Sequence, residues 1–302
     1  MKYIIFLIPF FLSCVTISTK NLEQKIKPLG LVFIQEIGKD ILYEPQGISL
    51  DLQNIIYVTD KKNRIVKFSE EGDFLEEFGQ MDLYSPMDLI IEINFYIYVV
   101  DKGNNRIVKY DTRGNFIAEI KEISFNKEII KFKEIEYICI NHFNEIFITD
   151  ISNHKIFKIN TFGEGKIQFG NFGWTQEKFR FPQGIVIDNQ ENIYIVDKGN
   201  SQIKKFDMYG NFILCWGNFG KKEKEFNDPT SLSIDKYENI YVLDSGNSRL
   251  QVFDKEGNFI NVFAQEELGQ SLKLPKDIFI SNNFLYISDT LNNRILKYKI
   301  LY

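Results

Sequence analysis

Tyr98-Val99-Val100-Asp101-Lys102-Gly103-Asn104-Asn105-Arg106-Ile107-Val108-Lys109-Tyr110 carries two strand-like runs around a polar turn, and the chain repeats it. The first run ends in Asp, and an Asp-ended run recurs six times, closing on Asp60, Asp101, Asp150, Asp197, Asp244 and Asp289. Subtraction puts successive copies 41 to 49 residues apart, a period that belongs to repeat architectures. In the second run Ile, Val, Phe or Tyr alternate with Lys or Gln, as in Arg249-Leu250-Gln251-Val252-Phe253 and Arg294-Ile295-Leu296-Lys297-Tyr298. That period of two predicts a strand with one buried face. Downstream, Asp111-Thr112-Arg113-Gly114-Asn115, Asp207–Asn211 and Asp254–Asn258 each place Gly where a tight hairpin needs positive φ.

Upstream of each Asp-ended run lies another strand. Pro45, Pro86, Pro182, Pro229 and Pro275 open it in five units, and Ile135 stands there in the third. Proline is tolerated at a strand's first residue because no ladder donor is needed there. Each unit is therefore four short antiparallel strands, a to d, which cannot bury both faces alone. The units must pack around an axis, and six units predict an all-β, six-bladed β-propeller over residues 31–302. After strand c of the last unit only Leu301 and Tyr302 remain, while Leu31–Gly38 precedes the first unit and resembles the d strands Phe74–Gly79 and Phe212–Gly217. Residues 31–37 are expected to complete the sixth blade and remove an open edge.

Phe181-Pro182-Gln183-Gly184-Ile185-Val186-Ile187-Asp188, Asn192–Ser201, Phe206-Asp207 and Gly210-Asn211-Phe212 resemble an NHL repeat. The resemblance spans about residues 31–302. It implies a propeller but no activity, because its motif residues build turns.

The 302 residues are 44% hydrophobic and 15% aromatic, with a net charge of −5; this is a globular composition, and its mild acidity argues against a nucleic-acid partner. Three Cys are too few for a disulfide framework, and two His cannot supply a three-histidine metal centre. Tyr3 to Leu12 is an apolar run too short to span a bilayer. It ends in Phe11-Leu12-Ser13-Cys14, which resembles a bacterial lipoprotein signal. That resemblance implies a signal peptide over residues 1–14, lipidation of Cys14, a tether over 15–30 and a place at the cell envelope. A plain secretory signal cleaved elsewhere and an N-terminal anchor left uncleaved are the alternatives. Cys139 and Cys215 sit in apolar runs and read as small buried hydrophobes.

In a propeller strand a lines the central channel, and the b–c turns share the top face with the d–a crossings. The first residues of strand a then ring the upper mouth: Gln46, Met87, Asp88, Glu136, Tyr137, Gln183, Thr230, Ser231, Lys276 and Asp277. Such a ring either hydrates the channel or holds a small polar ligand. Asp88, Glu136 and Asp277 are the candidate ligands for a hard cation such as calcium. Trp174 and Trp216, in or beside the d–a crossings, either anchor a partner or pack between blades. The six recurrent Asp read as turn supports paired with Arg64, Arg106, Lys155, Arg249 and Arg294, since one catalytic site needs an asymmetric set. His142 falls on an a–b turn and His154 on a b–c turn, on opposite faces, which excludes the zinc chemistry of peptide-amidating lyases of this fold. No RING-type Cys/His cluster is present, unlike in tripartite-motif proteins bearing NHL repeats. The favoured expectation is a monomeric, non-enzymatic scaffold without a cofactor that binds a protein, peptide or glycan through its top face. The alternative is a calcium-dependent esterase or lactonase using the channel-mouth carboxylates.

Overall fold

The computed structural model describes residues 26–302, so Cys14, the signal-like stretch and the tether as far as residue 25 lie outside the described residues. Six four-stranded antiparallel sheets follow one another along the chain. In the second blade the strands are Pro86–Ile91, Tyr96–Asp101, Arg106–Asp111 and Phe116–Ile120. In the sixth, Ile278–Ser281, Phe284–Asp289 and Arg294–Leu301 supply three strands and Gly30–Ile37 the fourth. There Leu31 stands opposite Ile300 and Ile37 opposite Ile295. An additional hairpin, Glu122–Phe125 with Glu128–Lys131, occupies the crossing from blade two to blade three and accounts for the widest repeat spacing.

The described residues form six cores, one between each pair of neighbouring blades. Tyr57, Ile65, Leu89 and Val99 fill the space between the first and second blades, and Ile48, Val58, Tyr286 and Ile295 that between the sixth and first. Each sheet is therefore sandwiched, and both faces of its inner strands are buried. Strand c of the first blade, Arg64–Phe68, is buried at all five positions. This corrects the one-sided reading of strand c: its lysines do not face solvent.

Those lysines join the blades. Lys67, Lys158, Lys205 and Lys297 are each less than 10% exposed. Their ammonium groups lie over aromatic rings of strand b, Lys205 over Tyr194 at 4.9 Å and Lys297 over Tyr286 at 5.6 Å. Three reach the next blade's c–d turn: Lys67 donates to Thr112 O at 2.9 Å, Lys205 to Lys255 O at 3.2 Å and Lys297 to Glu70 O at 2.8 Å. An aliphatic stem packed in an apolar seam with its head at the rim suits lysine. The c–d turns are built as expected. Asp111 accepts the amides of Arg113 and Asn115, both at 2.9 Å, and Gly114 has φ +79° with the Phe78 ring where a Cβ would stand.

Candidate functional site

The first residues of strand a form two layers around the axis. In the lower one stand Gly47, Asp88, Tyr137, Gly184, Ser231 and Asp277, one per blade. Asp88 accepts the amide of Ile138, one blade on, at 2.9 Å and that of Leu89 at 2.8 Å. Asp277 accepts the amide of Ile48, across the ring closure, at 2.8 Å and the Ser231 hydroxyl at 2.6 Å. Tyr137 lies across the channel and donates to Lys276 O, on the opposite blade, at 3.0 Å. Gly47 permits close approach of blades one and two: a Cβ there would sit 2.6 Å from Met87 O. What remains of the channel beneath is a cavity of about 80 Å³, lined by Asp88, Cys139, Ser233 and Asp277 among apolar side chains.

Two buried carboxyl groups sharing this space cannot both ionise cheaply. Burial pushes Asp88 well above the carboxylate range, and the Asp277 charge adds to that. Burial raises Asp277 to about 6, against the Ser231 and Ile48 hydrogen bonds, which favour its charged form. Tyr137 is likewise driven upward by burial and by the Asp277 charge.

The upper layer is the open mouth: Gln46, Met87, Glu136, Gln183, Thr230 and Lys276. Gln183 Nε2 donates to Glu136 at 2.8 Å. Lys102, from the b–c turn of blade two, pairs with Glu136 and, at 3.1 Å, with Glu134. Lys198, from blade four, pairs with Asp228 at 2.9 Å. Gln46 turns back to Glu44 O at 2.7 Å. The expected ring is thus split by depth: Gln46, Glu136 and Gln183 at the mouth, and Asp88, Tyr137, Ser231 and Asp277 beneath it.

Asp88, Glu136 and Asp277 are drawn into hydrogen bonds and ion pairs within the ring. Each oxygen of Asp88 and Asp277 already faces an N–H or O–H donor, and Glu136 is taken by Gln183 and Lys102. Among the described residues no group of three His, Cys, Asp or Glu is arranged to hold a metal ion.

The recurrent Asp serves all six blades in the same way, accepting an amide from the d–a crossing that leads into its own blade. The donors are Tyr43, Tyr84, Lys133, Arg180, Asn227 and Lys273, at 2.7 to 3.1 Å. Arg64, Arg106, Arg249 and Arg294 pair with these carboxylates as read from the sequence. Lys155 does not; it donates to Gln168 at 3.0 Å. In blade four, where Gln202 stands at the Arg position, the fully buried Lys204 takes the role. Its ammonium sits 2.8 Å from Asp197 and donates to Thr175 O at 2.9 Å and to Lys178 O. The signal in the sequence is a lysine at the strand-c position that Val66, Val108 and Leu296 occupy in other blades.

The loop held by Lys204 carries Trp174. This side chain is 68% exposed, beside Phe172 at 51% and Phe181 at 44%. Phe172 meets Trp174 edge-on at 5.3 Å, and the Arg180 guanidinium lies 5.3 Å over the Trp174 ring. His154 packs between Phe172 and Phe181, its Nδ1 accepting the Phe181 amide at 3.2 Å, and burial lowers its pKa. Phe219, at 74% exposure, occupies the matching place in the next crossing. Buried Phe179 and Phe226 pin the two loops. Trp216 is not part of this surface. It ends strand d of blade four and packs between blades against Tyr194 and Phe253, covering Gly257. Cys139 is buried, whereas Cys215 is only half-buried, because outer strands have one covered face. His142 is on the opposite face from His154 and sits 2.7 Å from Glu191.

Comparison with known proteins bears on fold. The NHL repeat model matches residues 179–206 and 226–253. No curated protein matches the chain by sequence. Among solved structures, catalytically inactive virginiamycin B lyase from Staphylococcus aureus with quinupristin superposes with a TM-score of 0.64 at 14% identity, covering 90% of this chain and 99% of that one. A gluconolactonase from Xanthomonas campestris gives 0.67 at 12%, covering 90% and 89%. PQQ-bound aldose sugar dehydrogenase from Streptomyces coelicolor gives 0.66 at 12%, covering 91% and 100%. Identities this low speak of architecture, and enzymes of several chemistries share it. The chain is thus a six-bladed β-propeller whose fourth and fifth blades carry segments that match the NHL repeat.

Proposed function

We propose that this propeller is a binding scaffold that engages a protein, peptide or glycan through its top face, held at the cell envelope by a lipid on Cys14. The observation that carries the reading is the Phe172–Trp174–Phe181 cluster. These are large aromatics, largely exposed, on a crossing tied down by Asp197 and Lys204. Rigid aromatic anchors flanked by a guanidinium are what protein and glycan interfaces use, since little side-chain freedom is lost on contact. The channel carboxylates, by contrast, are committed to inter-blade hydrogen bonds, which disfavours the hydrolase reading.

The test is affinity capture from envelope extract with wild type, with Trp174→Ala plus Phe219→Ala, and with Leu52→Ala at an exposed a–b turn of the opposite face. A partner retained by wild type and Leu52→Ala but lost from the top-face variant supports the reading. Equal capture by all three overturns it. Metabolic labelling with a fatty acid, compared between wild type and Cys14→Ala, tests the anchor separately.

A further inference from the structure

Three ammonium groups come to the upper mouth, from Lys102, Lys198 and Lys276, together with three carboxylates, Glu134, Glu136 and Asp228. Two lysines take all three carboxylates: Lys102 pairs with Glu134 and Glu136, and Lys198 with Asp228. Lys276 is left over. Its backbone is fixed, the amide donating to Ser288 O at 3.1 Å and the carbonyl receiving the Tyr137 hydroxyl. Its ammonium has no carboxylate within ion-pair distance and no hydrogen bond among the described residues. It is half-buried at the mouth, where burial and the neighbouring Lys198 charge lower its pKa against the opposing pull of the Glu136 and Asp228 charges. On the adjacent blade, at the equivalent position of strand a, Thr230 is 1% exposed and its hydroxyl is likewise without a partner. A buried polar atom without a partner costs free energy, and a half-buried cation without one costs more.

We infer that the upper mouth is a carboxylate-binding subsite, with Lys276 as the cation, the Thr230 hydroxyl as a second donor and the Gln183 amide beside them. The ligand class is a free carboxylate at the end of a flexible chain, a peptide C-terminus. This inference rests on the top-face reading above and names part of what that face recognises. Lys102 and Lys198 are already paired, and the three carboxylates balance the three lysines, so the mouth offers one unpaired ammonium but no net positive charge, which suits a singly charged carboxylate better than a doubly charged phosphate.

The probe is acetyl-Ala-Ala with a free C-terminal carboxylate, its C-terminal amide, and inorganic phosphate, each added at millimolar concentration to the full chain. The readout is the rate at which the Lys276 amine is acetylated, followed by mass spectrometry, with melting temperature as the check on folding. The acid is expected to slow modification of Lys276 while leaving Lys236, on the other face, unchanged, and the amide to have no effect. Lys276→Gln, which breaks no ion pair, should melt with wild type and bind the acid about tenfold more weakly or worse, as measured by calorimetry. Lys276→Arg should retain it. Equal effects of acid and amide, no protection by the acid, unchanged acid affinity in Lys276→Gln, or protection by phosphate alone would each overturn the carboxylate subsite. Loss of the subsite with aromatic-dependent capture intact would leave the top-face reading standing.

Discussion

Replacing Asp277 by Asn tests the channel directly. Asp277 is fully enclosed, close to Asp88, and its pKa rises from an ordinary 3.8 to about 6. That difference corresponds to about 3 kcal/mol between the protonation states. Because the folded-state pKa is the higher one, the stability linked to this group is complete below the unfolded-state value, near pH 4, and is lost as pH climbs through 6. Between pH 7.5 and pH 5 the recoverable part is roughly 1 to 2 kcal/mol. At roughly 2 °C per kcal/mol for a chain of this size, wild type should melt about 3 °C higher at pH 5 on this account alone. Asn keeps an acceptor for the Ile48 amide and can donate to Ser231, but it carries no charge. Asp277→Asn should therefore melt above wild type at pH 7.5, by up to about 6 °C, and lose that part of the acid stabilisation. Differential scanning calorimetry of both proteins across this range decides it. A variant no more stable at pH 7.5, with an unchanged pH slope, would mean that the amide and hydroxyl donors keep the carboxylate ionised, and the burial argument would fail.

Three other outcomes follow from the geometry. Deleting residues 31–38 removes the outer strand of blade six, buried Ile37 and the Glu36 partner of Arg294, and should cost about 5 kcal/mol or more; an unchanged melting temperature would refute ring closure by this strand. Lys204→Met strands the Asp197 carboxylate and frees the carbonyls of the Trp174 loop, a loss of about 3 kcal/mol, with faster amide exchange over residues 174–178 as its local signature. Millimolar calcium should leave the melting temperature unmoved, since the oxygens of Asp88 and Asp277 already face donors; a rise of several degrees would reinstate a cation site.

Blade number and strand order could be read from the sequence because the Asp-ended strand and the Gly turns are local devices, repeated in register. The hydrogen bonds from the Tyr84 amide to Asp101 and from the Asn115 amide to Asp111 each join residues within one unit. What could not be read depends on contacts between units. The strand-c lysines alternate with apolar residues as on any half-exposed strand, and only stacking the next blade against them reveals their burial. Trp174 and Trp216 look alike as letters, yet one stands in a crossing and the other at the end of a strand facing the neighbouring blade. Tyr137 lies in the unit that departs most from the repeat, and its role, reaching across the axis to Lys276, has no signature in its own strand. The division of the mouth into paired lysines and the unpaired Lys276 is likewise a property of the assembled ring.

The pairing of Gly30–Ile37 with Arg294–Leu301 also has a consequence in time. The first-made strand of the propeller receives its neighbour only after some 260 residues have been added, roughly 15 to 50 s at ordinary rates of synthesis. For that interval blades one to five can stack in sequence while the circle stays unlatched, with an early strand unpartnered at one end. Slowing translation near the end of the message would lengthen the interval and raise the demand on holding chaperones without altering a single contact in the finished molecule.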